Sequence, residues 1–287
     1  MATESPYTIL DNIVQDTFRV IGQINDDHIF DDRHVVIAGG MASQLYNDPQ
    51  LEDLLRPSMD IDCATYPSLS NTEYDNIHSY ISSGLNSKGY KCKEFPKKQH
   101  RNIGTICSDN NYLDTLVIHF DRFSKSYFEK VGPLEKKKVE DAMVEPLYFK
   151  GISVHVVKPE QIWNGKMKTL VHQIGDIQSN TLKKIFHYAA TLNFSELSKI
   201  KLSNWLNELI EIKSTIVSAQ THDRLVDADV VRDYKLSKNL YDLCLLSRNV
   251  EIGHINFDIE EYFAIRQQTN KVFSKSEDPF TELYFTP

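Results

Sequence analysis

The segment RPSMDIDCAT, residues 56–65, sets Asp60 and Asp62 two positions apart in a short run of alternating apolar and polar residues. Such a run is a strand, with Met59, Ile61 and Cys63 on one face and Asp60, Asp62 and Ala64 on the other. Carboxylates that close repel unless a cation lies between them, and hard oxygen donors of this kind suit Mg2+ or Mn2+. The plainer alternative is two aspartates on the solvent side of an edge strand.

Upstream, VVIAGGMASQLY (35–46) joins a hydrophobic run to two glycines and a polar helix start. His34–Ala38 is short, apolar and β-branched, as in a buried strand, and Met41–Asn47 reads as a short helix. Gly39 and Gly40 would let a polyphosphate approach the backbone closely, where the helix start offers free N–H groups and a positive dipole end. A plain tight turn would also use two glycines. Phosphoryl chemistry with two metal ions about 3.5–4 Å apart wants a third carboxylate. Asp121 is the first choice, because it ends the strand TLVIHFD on the face shared by Thr115, Val117 and His119. Asp114, which opens that strand, is the runner-up.

The elements that must hold these residues follow from periodicity. Ile9, Ile13, Val14, Phe18 and Ile21 have helical spacing, and residues 71–89 form a second helix between a capping residue and a glycine. Tyr90–Phe95, Asn102–Ser108 and Leu113–Asp121 read as strands, and 145–157 as one more hairpin. Helical texture then takes over, in 160–193, 196–219, 234–249 and 258–271. The expected architecture is α/β (α+β), a mixed sheet with flanking helices over 1–155 and a mostly helical domain over 156–287.

Composition narrows the partners. A chain of 287 residues, 41% of them hydrophobic, can bury one large core or two modest ones. Its net charge of −8 argues against a uniformly basic nucleic-acid coat, though KCKEFPKKQHR (91–101) and EKKK (135–138) are local basic stretches. Lysines on a solvated hairpin edge are the plainer account of either. The cysteines at 63, 92, 107 and 244 are scattered without metal-ligand spacing, which suggests reduced thiols in a cytoplasmic protein. No apolar stretch approaches the roughly 20 residues of a membrane span, and no secretory leader is legible at the N-terminus.

The pattern of strand, Gly-Gly, helix, Asp-x-Asp and a later acid resembles the nucleotidyltransferases of the DNA polymerase β superfamily. Within it, IAGGMASQLY followed by RPSMDID is most similar to the AbiEii-type toxins of type IV toxin–antitoxin systems, with Gly39, Gly40, Ala42, Arg56, Ser58, Asp60, Ile61 and Asp62 matching G-G-x-A-x and R-x-[ST]-x-D-[IL]-D in order. KPEQIWNGKMKTL (158–170) resembles the family's P-E-E-hydrophobic-x-x-x-K helix. The resemblance implies that Asp60, Asp62 and Asp121 carry Mg2+ or Mn2+. Gly39, Gly40 and Ser43 would hold the β- and γ-phosphates of a nucleoside triphosphate, while Lys166 neutralises its charge. Arg56 would bind phosphate or tie the loop to the strand. The acceptor it implies is an RNA 3′ end, tRNA first, with a cognate antitoxin protein as partner.

One family element departs from the pattern. Where R-D-L-Y-D-L is expected, the chain reads LKKIFHYAATL (182–192), and the better textual match, SKNLYDLCLL (237–246), comes later with Asn239 and Asp242. Asp176 and Asp242 are therefore both candidates for the fourth functional acid. Transfer to a protein or small-molecule hydroxyl, and a nucleotide-binding protein whose catalysis has decayed, remain as alternatives.

Overall fold

A computed structural model of the chain describes residues 7–30, 34–66, 71–94, 102–108, 115–121, 146–163, 165–166, 198–222 and 224–249. Helix α1 (Asn12–Asp26) buries Ile13, Val14, Phe18 and Ile21, the stripe set by their spacing. Strand β1 (His34–Ala38) runs directly into α2 (Gly39–Leu45), and a 3-10 helix (Pro49–Leu54) leads to β2 (Asp60–Tyr66). Helix α3 (Asn71–Asn86) precedes three strands, β3 (Lys91–Glu94), β4 (Asn102–Ser108) and β5 (Thr115–Asp121). A hairpin of β6 (Leu147–Phe149) and β7 (Ile152–Val154) follows.

The main sheet has the order β1-β2-β5-β4-β3, with β2 and β5 parallel and the other neighbours antiparallel. It is the mixed sheet of an α+β chain that the sequence led us to expect. Beyond the hairpin, the chain covers the outer edge of β1, where the Ile37 N–H donates to the His155 carbonyl at 2.8 Å and the Val157 N–H to the Ile37 carbonyl at 3.0 Å. An exposed strand edge is thereby satisfied.

Alternation along β2 and β5 divides the sheet into two chemical faces. Ile61, Cys63, Leu116, Ile118 and Phe120 are buried in the core with Ile77, Ile81 and Leu85 of α3 and the apolar stripe of α1. Asp60, Asp62 and Ala64 take the other face, as period-2 geometry requires. Two long helices complete the described fold, α4 (Lys199–Thr221) and α5 (Ala228–Asn249). They pack on each other, with α5 against α2 and α4 against the 3-10 helix. The Tyr241 hydroxyl donates to the Leu54 carbonyl at 2.8 Å, and Trp205 meets the Tyr241 ring edge-on at 5.4 Å.

One expectation is corrected. Cys92 and Cys107 are not separate reduced thiols: the antiparallel register sets them opposite each other on β3 and β4, and they are joined as a disulfide. Their sequence separation matches no motif, so only strand register reveals the pair. Cys63 and Cys244 are free and buried. No helix among the described residues is long and apolar enough to cross a membrane. The expected helix at 258–271 and the stretches 135–138 and 182–192 lie outside the described residues, as does most of 160–193.

Candidate active site

The two glycines owe their identity to neighbouring side chains. Gly39 has φ +64°, a conformation that L side chains rarely adopt. A Cβ there would lie 1.9 Å from Asp62 Oδ2, and one on Gly40 would lie 2.6 Å from Arg56 Nη2. The turn is therefore closed around the carboxylate and guanidinium of the following motif. Ser43, expected to help hold phosphate, is buried and donates from Oγ to the Gly39 carbonyl at 3.1 Å, pinning the first turn of α2. Gly39→Ala should destabilise the protein by more than about 1 kcal/mol, because it combines strained backbone with a clash against Asp62; urea unfolding midpoints would check this.

Asp60 and Asp62 open β2 on the face away from the core. Burial would raise the Asp60 carboxyl, but the Lys238 ammonium, a hydrogen bond from the Ser58 hydroxyl, Arg56 and Lys213 hold it below the usual carboxylate range. On β5 the register sets Val117 beside Asp60 and His119 beside Asp62. Asp121, the first choice for a third acid, ends β5, roughly 13 Å along the strand from Val117 at ~3.3 Å per residue. Asp114 and Asp176 lie outside the described residues. Among the described residues no three His, Cys, Asp or Glu side chains converge as a metal site. Two carboxylates still fit Mg2+, which is often held by one or two of them with substrate phosphates and water completing its shell.

Behind the aspartates lies a buried ion cluster. Arg56, 3% exposed, donates from Nε and Nη2 to the two carboxylate oxygens of Asp242, each at 2.9 Å, across 186 positions of sequence. Lys166 Nζ donates to Asp242 Oδ2 at 2.6 Å. Burial would raise the Asp242 carboxyl, yet Arg56 and Lys166 hold it far below the usual range. A carboxylate so stabilised is a poor proton acceptor. Expected to bind phosphate or to tie the loop to the strand, Arg56 joins the loop before β2 to α5, while Gln44 of α2 donates to its carbonyl at 2.8 Å. Lys166 faces Asp242 in this arrangement.

Three residues that the sequence reading passed over, Tyr234, Lys238 and Lys213, stand beside these groups. Tyr234, Lys238 and Asp242 recur every four positions on α5, so they share one helix face. That spacing was a legible signal beside the LYDL match. Lys213 of α4 carried none; its ammonium sits 5.4 Å from the centre of the Tyr234 ring, at cation–π distance. Arg56, Pro57, Leu209, Ile210, Lys213 and Tyr234 line a cleft between the loop before β2 and the two helices. Burial and Arg56 push the Lys238 ammonium down to about 8, and burial lowers Lys213 as well.

No protein-family model matches the chain, and no curated protein does. Solved structures do overlap it loosely. One is the crystal structure of an antigenic nucleotidyltransferase-like protein from Paracoccidioides brasiliensis, 16% identical with a TM-score of 0.38, covering 75% of this chain and 96% of its own. The solution structure of the antibiotic-resistance factor ANT(2'')-Ia is 12% identical with a TM-score of 0.33 and covers 75% of this chain and all of its own. JHP933 from Helicobacter pylori is 14% identical with a TM-score of 0.33, covering 93% of this chain and 97% of its own.

Proposed function

We propose that this protein is a metal-dependent nucleotidyltransferase that moves a nucleoside monophosphate from a triphosphate to an acceptor hydroxyl. The observation that carries the reading is the packing of Asp62 against Gly39 with Asp60 beside it on one sheet face, at the strand-to-helix turn. Asp60 and Asp62, with Asp121 or Asp114 as third acid, would hold Mg2+ or Mn2+, which when bound withdraws charge from the phosphates and the acceptor hydroxyl. In the reaction the acceptor oxygen bonds to the α-phosphorus, the bond to the bridging oxygen breaks, pyrophosphate leaves, and the acceptor proton passes to solvent. The chain's own part is positioning and charge: the Arg56–Asp242 pair holds α5 against the motif, and the cationic wall around Asp60 offsets triphosphate charge.

For the acceptor we propose an RNA 3′ end, tRNA first, in an AbiEii-like toxin restrained by an antitoxin protein. The ordered match of Gly39, Gly40, Ala42, Arg56, Ser58, Asp60, Ile61 and Asp62 to that family's motif supports this. Residues from 156 onward would contribute to nucleotide and acceptor binding. The test is incubation with Mg2+, each α-labelled nucleoside triphosphate and total cellular RNA. We expect label on a tRNA-sized band, absent with Asp60→Ala. Label on protein, or none with nucleotide still bound, would overturn the RNA reading. In the same assay Asp121→Asn and Asp114→Asn identify the third acid: loss of its carboxylate should abolish transfer, whereas the other variant keeps it.

A further inference from the structure

Arg56, Lys213 and Lys238 act on Asp60, and Lys166 joins Arg56 on Asp242, but these cations are not equivalent. Arg56 and Lys166 both spend themselves on Asp242, and Lys166 is 7% exposed. Lys213 and Lys238 differ. Among the described residues neither ammonium has an ion-pair partner, and both act electrostatically on Asp60. Lys213 stands at the cleft, over Tyr234, and Lys238 lies one turn along α5 from Tyr234 on the same face. They reach the site from two different helices.

We infer that Lys213 and Lys238 form the polyphosphate subsite, meeting the β- and γ-phosphates of the nucleotide and the leaving pyrophosphate in the role that the sequence resemblance gives to Lys166. This rests on the nucleotidyltransferase reading above. The reason is charge balance. With Asp60 engaged on a divalent cation, its charge no longer offsets two half-buried ammoniums. A polyanion then restores neutrality, so cation and polyphosphate should bind cooperatively. Lysine suits this task because its ammonium is a compact point charge with three donors. Lys166, already 2.6 Å from Asp242, would have to break a buried pair to serve.

The test is calorimetric binding of inorganic tripolyphosphate in Mg2+ to the full chain and to Lys213→Ala, Lys238→Ala and the double variant. Charge-assisted hydrogen bonds contribute about 1.5–3 kcal/mol each, so each alanine should weaken binding on the order of 10- to 100-fold. Lys238→Arg should restore most of it. Thermal unfolding of each variant separates lost affinity from lost fold, with arginine rescue deciding any variant that melts early. Unchanged affinity in the double variant, or no tripolyphosphate binding by the wild type, would overturn the inference. If the lysine variants lose tripolyphosphate but the wild type transfers no label, the subsite stands and the transferase reading falls. If transfer proceeds and the variants bind tripolyphosphate normally, the reverse holds.

Discussion

Asp60→Asn and Asp62→Asn should each lower nucleotide transfer by roughly 10³-fold or more. A bound metal supplies several kcal/mol of transition-state charge stabilisation, and each 1.4 kcal/mol or so is tenfold in rate. Asparagine keeps the shape that packs against Gly39, so far-ultraviolet circular dichroism should remain that of the wild type. Calorimetric titration with Mn2+ gives an independent readout, in which both variants should lose the binding that the wild type shows. Transfer persisting in either variant would mean that the paired carboxylates do not carry the metal, and the proposal would fail at its first step. Asp60 tests the arrangement more sharply, since its charge also faces Lys238 and Lys213.

Asp242→Asn should cost the fold about 3–5 kcal/mol, the usual penalty for breaking a buried ion pair from one side. The substitution keeps the volume but leaves the buried Arg56 and Lys166 without their shared counter-charge. Urea unfolding would measure the loss. If Asp242 were instead a solvent-facing catalytic base, stability would hardly change while activity fell. The same pair makes stability depend on pH. Asp242 is more acidic in the fold than in the unfolded chain, so its contribution is complete above the ordinary carboxylate range near pH ~4. It is lost as pH falls below that range toward the lower folded value. In Asp242→Asn that acid-side slope should flatten.

Much of the first half of the chain was legible because its signals are local. Strand alternation divided Asp60 and Asp62 from Ile61 and Cys63, and each residue lies on the face expected of it. The expected strand at His34–Ala38 and helix at Met41–Asn47 appear as β1 and α2, although α2 already begins at Gly39. Helix α5 begins at Ala228 rather than Tyr234.

The amino-acid sequence by itself determined the motif: two glycines before a helix and two carboxylates on one strand face, since both follow from residue type and a two- or four-residue period. Tertiary structure alone decided which residues oppose which charge. That Asp242 answers Arg56 across 186 positions, that Lys166 joins them, and that Cys92 meets Cys107 all depend on register and packing between distant segments, which local periodicity does not encode. The glycines show both levels at one place. Their presence was plain in the sequence, but the steric reason for them, a carboxylate and a guanidinium folded back onto the turn, exists only once β2 and α2 lie side by side.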